Sequence, residues 1–380
     1  MSILPNAVIS NIFGDRLTVK AQARLAVCVL ALIYAMYTVN AHAVPFPLMN
    51  VRSAALGGVG VAHSYKNASF YNPALAALKP EGFGWYLMVP SKSEFETDPD
   101  EVNDGVKQIA SGAASSQEAV DRIISRIDNK TYESYEFSSL QLVIPTPTLG
   151  GEMHFADYTF QTSKIVTDSI GSSVDHQAVS VRETGVSGAQ FADIKMLGLT
   201  DVLVGVSAKL YLLRSYAYRE PVASASFSLD DDQASRDSVL NFDVGLSKEY
   251  GVWKTGLVVK NILNSTKKIG DSDAEYNLGP QVRIGLAYQS RRAIAEIDLD
   301  LTKNKGVGHA SDTLYAAFGW EWRVFSGFFL RMGFKQNLVD EATSVVSGGI
   351  GLEISSFLLD FATLSDGSST SGAAQLSFKF

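Results

Sequence analysis

Gln281-Val282-Arg283-Ile284-Gly285-Leu286-Ala287-Tyr288-Gln289, followed after a short Ser290-Arg291-Arg292 stretch by Ala293 to Thr302, decides the fold of this chain. Val282, Ile284, Leu286 and Tyr288 share one parity, and Arg283, Gly285, Ala287 and Gln289 the other. In the second half Ala295, Ile297, Leu299 and Leu301 alternate with Glu296, Asp298, Asp300 and Thr302. A period of two is the mark of a β-strand, whose successive side chains point to opposite faces. Folding the hairpin about Arg291-Arg292 sets Leu286 against Ile297, Ile284 against Leu299 and Val282 against Leu301. The same register sets Arg283 against Asp300, with Gly285 and Ala287 facing Asp298 and Glu296. One register satisfies both faces, which is how register is specified.

The rule extends in both directions. Leu314, Phe318, Trp320, Trp322 and Val324 alternate with small and charged residues, and Phe328, Leu330, Met332 and Phe334 do the same. A three-residue loop, Phe325-Ser326-Gly327, pairs Trp322 with Leu330, Trp320 with Met332 and Glu321 with Arg331. Gly327 falls where such a loop needs a left-handed residue. Upstream, Val244 and Leu246 fold back on Val259 and Leu257, and Asp243 meets Lys260. Asp243, Lys260, Arg283, Glu296, Asp298, Asp300, Glu321 and Arg331 therefore share the polar face.

Strands of this kind are expected at 82–89, 136–144, 152–161, 176–194, 201–218, 239–249, 253–263, 279–290, 293–302, 313–324, 327–336, 344–355, 357–364 and 373–380, which makes fourteen. The connections at 250–253, 291–292, 325–327 and 356–357 are tight. Those at 219–238, 264–278, 303–312, 337–343 and 365–372 are longer. An even number of strands with short turns at one end and long loops at the other is the pattern of outer-membrane barrels. A soluble sandwich would bury the face carrying Trp320, Trp322, Phe334, Phe361 and Phe378 and expose a face of Gly, Ala and paired charges. That second face suits a crowded polar lumen, and a ring of fourteen strands is too wide for side chains to fill as an apolar core. The fold class expected is all-β: a 14-stranded antiparallel transmembrane β-barrel over 81–380, in the bacterial outer membrane and among its lipids.

Two stretches break the alternation. Residues 91–135 open with an acidic run and then place Val102, Val106, Ile109, Ala119, Val120, Ile123, Ile124 and Ile127 at helical spacing. They are read as a helical insertion in the first long loop, packed against the barrel end. Residues 44–80 have no strand pattern, yet they carry Leu56, Val59, Val61, Phe70, Tyr71, Leu75 and Leu78, apolar groups costly to leave in water. They are read as an amino-terminal hatch inside the barrel, with Asn72, Pro73 and Ala74 as a stiff turn.

Before them, Leu25 to Val39 is a 15-residue apolar run preceded by Arg16, Lys20 and Arg24 and followed by Ala41-His42-Ala43. It is shorter than the ~18 residues a spanning helix needs and reads as a secretory signal peptide over 1–43. The only cysteine, Cys28, leaves with it, so no thiol chemistry or Cys-based metal site is expected. The exported chain carries 29 basic against 39 acidic residues, a net charge of −10. That excludes the basic face a nucleic-acid partner wants. The histidines at 42, 63, 154, 176 and 309 show no metal-binding spacing and read as solvated or wall residues. An outer-membrane hydrolase would need a Ser or Asp beside one of them at the outer rim. No enzyme activity, cofactor or metal is expected.

The ending Gln375-Leu376-Ser377-Phe378-Lys379-Phe380 looks like the carboxy-terminal signal of outer-membrane barrels, read by the barrel assembly machinery. Gly57-Gly58-Val59-Gly60-Val61-Ala62 and Tyr71-Asn72-Pro73-Ala74-Leu75-Ala76 resemble the amino-terminal arm of FadL-like barrels. Within that group the chain is similar to the family of conjugal transfer protein TraF. Asn241 to Leu246, Gly256 to Leu263, Pro280 to Tyr288 and Asp298 to Thr302 carry that likeness. The resemblance implies a plugged fourteen-stranded barrel that passes small hydrophobic compounds or serves a transfer-apparatus protein. The alternative is a non-transporting anchor or scaffold that binds a surface or periplasmic partner.

Overall fold

The structure, a computed structural model, describes residues 50–63, 69–77, 84–95, 105, 107–109, 111–113, 117–128, 131–145, 150–168, 171–195, 198–222, 229, 232, 234–339, 344–367 and 370–379. The signal peptide expected over 1–43, Cys28, the acidic run of the insertion from Glu96 to Asp104, Val102, Val106 and Phe380 lie outside these residues.

Among the described residues sixteen strands follow in order: β1 (Gly84–Phe95), β2 (Thr131–Pro145), β3 (Gly150–Asp168), β4 (Gly171–Ile194), β5 (Leu199–Pro221), β6 (Ser235–Tyr250), β7 (Trp253–Lys260), β8 (Ser265–Lys268), β9 (Glu275–Leu278), β10 (Gln281–Gln289), β11 (Ala293–Asp300), β12 (Tyr315–Phe325), β13 (Phe328–Asn337), β14 (Ser344–Ile354), β15 (Phe357–Ser365) and β16 (Thr370–Lys379). Fourteen close into an antiparallel barrel in which each strand pairs with its neighbour along the chain. β1 meets β16, with Gly84 opposite Lys379 and Met88 opposite Gln375. β8 and β9 form a separate hairpin inside the connection between β7 and β10.

The register of the 281–302 hairpin is the one its two faces demand: Arg283 opposite Asp300, Ile284 opposite Leu299, Leu286 opposite Ile297 and Ala287 opposite Glu296. Trp320 meets Met332, Glu321 meets Arg331 and Trp322 meets Leu330. The turn after β12 is tighter than the three residues expected. The pairing shifts after Arg323, Phe325 pairs Phe328, and Gly327 turns the chain with φ at +80°. The bulge absorbs one residue and leaves both faces intact above it.

The outward parity is apolar and exposed. Ile284, Leu286, Ile297, Phe318, Leu330, Met332, Phe334, Val346 and Phe361 stand on it, with Trp253 and Tyr288 near the tight-turn end. With its strands paired all the way round a closed sheet and an apolar belt outside, the barrel meets the two requirements of a lipid bilayer. The protein is a transmembrane barrel of the bacterial outer membrane.

The first five strands are longer than their sequence pattern indicates. β3, β4 and β5 run for 19, 24 and 23 residues, whereas about 9–11 residues cross a bilayer. They continue as a sheet beyond the loop end of the barrel. β1 and β2 likewise go on pairing past a bulge, to Phe95 opposite Glu133, so the insertion between them begins later and ends earlier than 91–135. Its helix Gln117–Ile127 lays Ile123, with Ile109, against Tyr132, Ile165, Val174 and Val222 on the outside of that extension. Only two residues, 169–170, separate β3 from β4, at the end where long connections predominate.

Candidate functional site

The lumen is occupied by the chain's own amino-terminal segment. A short helix, Val51–Ala55, is capped by the Asn50 side chain, which accepts from the Ser53 N–H at 3.1 Å. Gly57 and Gly58 then turn the chain with φ at +73° and +88°, a conformation that costs glycine little. Residues 59–63 run along the wall, and a 3-10 turn over Pro73–Ala77 closes the segment. Every described residue from Asn50 to His63 and from Ser69 to Ala77 is buried.

Wall carboxylates and amides hold this segment by its backbone. Asp298 Oδ2 accepts the N–H groups of Gly60 at 2.9 Å and Val61 at 3.1 Å. Glu296 Oε1 accepts those of Ala62 at 2.8 Å and His63 at 3.0 Å. Gln375 Oε1 takes the N–H of Val51 at 3.1 Å, Ser347 Oγ that of Gly57 at 2.9 Å and Glu152 Oε2 that of Ser69 at 3.0 Å. Main-chain donors pulled out of water need such acceptors, and charged ones bind them about twice as strongly as neutral ones.

One side chain of the segment joins an ion-pair chain. Arg52 Nε donates to Glu321 at 2.8 Å, Glu321 also receives Arg331 at 2.7 Å, and Arg331 goes on to Asp360. Below it, at the tight-turn end, a cavity of ≈ 200 Å³ is lined by Arg52, Glu321, Arg323, Arg331, Asp360 and Gln375. Arg283 pairs with Asp300 and reaches the Gly58 carbonyl at 3.5 Å.

The lumen charges read from the sequence, Asp243, Lys260, Arg283, Glu296, Asp298, Asp300, Glu321 and Arg331, are all buried on the inner face. One pairing differs. Asp243 receives Lys209 Nζ at 2.8 Å and the Asn261 N–H at 2.8 Å, while Lys260 donates to the Phe70 carbonyl at 3.0 Å. Lys209 reaches Asp243 diagonally from β5, a strand whose register the downstream hairpins do not fix.

The turn residues sit against β5 and β6. Asn72 Nδ2 donates to the carbonyls of Val61 at 2.8 Å and Leu246 at 3.1 Å, and its Oδ1 accepts the Ala74 N–H at 3.0 Å. Pro73 begins the 3-10 turn, whose Ala74, Ala76 and Ala77 pack on Ala189 and Leu203. Wall glycines make the room. A Cβ on Gly245 would lie 1.9 Å from Asn72 Oδ1, and one on Gly333 2.0 Å from the Gly57 nitrogen.

Above the segment the lumen is aromatic. Phe70, Tyr135, Phe137, Tyr158 and Tyr211 form one buried cluster with Ile269, Tyr276 and Leu278 of the β8–β9 connection. That hairpin folds inward, with Lys267 on Asp237 at 2.8 Å and the Gly270 N–H on Ser215 Oγ at 3.1 Å. The sequence reading treats 264–278 as an ordinary long loop. The signal present in it is the Tyr276/Leu278 alternation, only four residues long.

The histidines are less solvated than expected. His154 Nε2 lies 3.0 Å from Glu183 on the wall, and His63 is buried in the inner segment. His176 Nδ1 does lie 2.6 Å from Ser163 Oγ, the pairing a hydrolase would need. Both residues are fully buried.

A family model described as "F plasmid transfer operon, TraF, protein" matches residues 69–300, more than half of the 380-residue chain. The chain belongs to this family. No curated protein matches it. Among solved structures it is similar to a deltaS2S3 mutant of the monoaromatic hydrocarbon channel TodX, at 12% identity and a TM-score of 0.53, covering 86% of this chain and 96% of that one. It is also similar to the toluene transporter TodX of P. putida, at 13% identity and a TM-score of 0.51, covering 88% and 99%. At such identities the likeness is one of fold.

In this TraF-family barrel, sequence reasoning missed Gln141, Glu152, Glu183, Lys209, Asp360 and Gln375, all buried on the inner face. Asp360 was within reach, since it alternates with Leu359 and Phe361 as Glu321 does with Trp320 and Trp322.

Proposed function

We propose that this protein is a plugged outer-membrane channel for small hydrophobic compounds, with residues 44–80 as its hatch. The observation that carries the reading is how the inner segment is held. It is docked by wall side chains onto its backbone, through Asp298, Glu296, Gln375, Ser347 and Glu152, and not by strand pairing with the sheet. Such a segment can shift while the barrel stays closed. The aromatic cluster above it supplies the surface that an apolar solute would cross. The fold shared with a monoaromatic hydrocarbon channel supports the same reading. The last strand, β16, would be the part engaged by the assembly machinery.

The second reading is a non-transporting anchor or scaffold. It is favoured by the β3–β5 sheet and the helix Gln117–Ile127, which stand beyond the loop end and offer a surface to a transfer-apparatus protein. Single-channel recording of the full chain and of a variant lacking Val44 to Leu78 separates the two. A channel gives a much larger conductance on deletion, with apolar compounds co-purifying with the intact protein. Equal conductance in both, with no bound solute, overturns the channel reading in favour of the anchor.

A further inference from the structure

The connection between β7 and β10 reaches back across the loop end of the lumen. Its β8–β9 hairpin is a two-stranded sheet of its own, separate from the barrel sheet. From its root it meets three distant strands. Lys267 pairs with Asp237 on β6 at 2.8 Å. Ser215 Oγ on β5 accepts the Gly270 N–H at 3.1 Å and donates to the Lys268 carbonyl at 3.3 Å. The Tyr276 ring stands 6.5 Å from that of Phe160 on β3. At the hairpin's edge Glu275 meets Lys305 of the next loop at 3.6 Å, both exposed. Ion pairs open to water contribute little, and a lone two-stranded hairpin is marginal in water. The chief attachment is therefore the burial of Ile269, Tyr276 and Leu278, each 1% exposed or less.

Tyr276 puts a single aromatic ring into the lumen cluster of Phe70, Tyr135, Phe137, Tyr158 and Tyr211. That cluster has a polar floor. Tyr158 OH donates to Glu183 Oε2 at 3.1 Å, and His154 Nε2 lies 3.0 Å from the other Glu183 oxygen. With its own proton given to Glu183, the Tyr158 oxygen is left as an acceptor. The Tyr276 hydroxyl lies beside it, yet it is buried and completes no well-formed hydrogen bond. A phenol tethered to a hairpin thus fills the space without satisfying it, and a buried hydroxyl so placed costs stability.

We propose that Tyr276 occupies a solute site, and that the compound which displaces it is a single-ring aromatic bearing a hydroxyl. A free phenol can turn its hydroxyl onto the Tyr158 oxygen, which the tethered ring does not do. A plain hydrocarbon of the same size leaves that oxygen without a donor, and a site with a buried polar group to satisfy rejects such a ligand. Displacing Tyr276 removes one of the hairpin's three apolar anchors, so the bound solute releases the hairpin from the lumen. The inference rests on the channel reading, for which it names the solute class and the part that admits it. Binding and hairpin release are both measured without conductance. A conducting barrel with no preference for phenols would sink the site alone, and a phenol-binding barrel that does not conduct would sink the channel reading alone.

The test is calorimetric titration of the full chain in detergent with phenol and with toluene, which carries a methyl where phenol carries a hydroxyl. Wild type is compared with Tyr276→Ala, with Tyr276→Ala/Tyr158→Phe and with Thr266→Ala, on the exposed face of the hairpin. Heat-modifiable mobility on gels shows that each variant is a closed barrel, and Tyr276→Val serves if Tyr276→Ala is not. Phenol is expected to bind at least tenfold tighter than toluene. Vacating the site should tighten both at least tenfold, and adding Tyr158→Phe should abolish the preference. Thr266→Ala should bind as wild type does. Phenol at a saturating concentration should also raise trypsin cleavage after Lys267 and Lys268 of wild type severalfold. Unchanged affinity in Tyr276→Ala, equal binding of the two compounds, a preference that survives Tyr158→Phe, an equal gain in Thr266→Ala, or unchanged cleavage would each overturn the proposal.

Discussion

Glu296 and Asp298 stand two residues apart on β11, and each accepts a consecutive pair of backbone N–H groups from the segment inside the barrel. Asp298 takes Gly60 and Val61, and Glu296 takes Ala62 and His63. Inward side chains two residues apart on a strand are about 6.6 Å apart, and the segment bends at Val61 and Ala62, so successive N–H groups can converge on one carboxylate oxygen. At these two positions the wall thus reads the segment's backbone, not its side chains.

Removing one carboxylate should therefore free a defined pair of amides. Asp298→Ala leaves two buried N–H groups without acceptors, at about 1–3 kcal/mol each. Hydrogen exchange at Gly60 and Val61 should accelerate by an order of magnitude or more, with a smaller change at Ala62 and His63. Uniform exchange across 60–63 in wild type and variant would show that the segment is held by its packing alone.

The glycines of the inner wall give a test that leaves charge untouched. Gly245→Ala and Gly333→Ala each drive a methyl group into the segment, at Asn72 Oδ1 and at the Gly57 nitrogen. Both neighbours belong to a tightly bonded stretch with little room to retreat. Gly348→Ala meets its nearest atom at 3.7 Å and serves as the control. The first two should raise protease cleavage within 50–77 severalfold while the barrel remains heat-modifiable, and the control should not. Equal protection in all three would mean that the segment sits further from the wall.

The outer face predicts a depth dependence. Met332 is 52% exposed in the middle of β13, opposite Gly348, and Ile354 is 66% exposed beside the tight turn after β14. An arginine at the bilayer midplane of a barrel costs about 2–4 kcal/mol, and near the interface about 0–1. Met332→Arg should lower folding stability in lipid vesicles by the larger amount, and Ile354→Arg by little. Equal losses would mean that the belt is not centred where the register puts it.

How much of this was legible in the sequence depended on whether a face had one environment. Between Gln281 and Thr302 the outside meets lipid and the inside meets charge, so a single register satisfied both and was read correctly. In β4, Ala178 and Val179 are both fully buried and Val181 nearly so. Neighbours of opposite parity are covered there because the insertion packs outside while loop residues pack inside: the His309 N–H donates to Thr162 Oγ1 at 3.1 Å. Alternation fades under such conditions, and the strand ends were placed short. The eight lumen charges were legible from parity alone. Their work was not, because Asp298 and Glu296 bind main chain, and backbone N–H groups leave no residue-type signature. The Asp243–Lys209 pairing was lost for a different reason: it crosses diagonally between strands whose register no downstream hairpin constrains.

His63 links the docked segment to pH. Burial holds its imidazole far below the ordinary value of 6.5, down to about 3, and the positive charges of Arg52 and Lys254 push the same way, opposed by Glu321. It is neutral in place at pH 7, while the backbone N–H of His63 is given to Glu296. A released segment exposes the imidazole to water, where it takes a proton below about 6.5. Between pH 6.5 and 3 the released state therefore holds more protons than the docked one, and docking weakens as pH falls through that window. Above 6.5 the two states bind equal numbers and the contribution is complete. Protease cleavage within 50–77 should thus increase from pH 7 to pH 4.5 in wild type. His63→Gln cannot take the proton, so cleavage in it should depend less on pH, and the difference between the two proteins isolates the imidazole from the wall carboxylates that titrate in both. Parallel pH profiles would show that His63 stays buried whether or not the segment is docked.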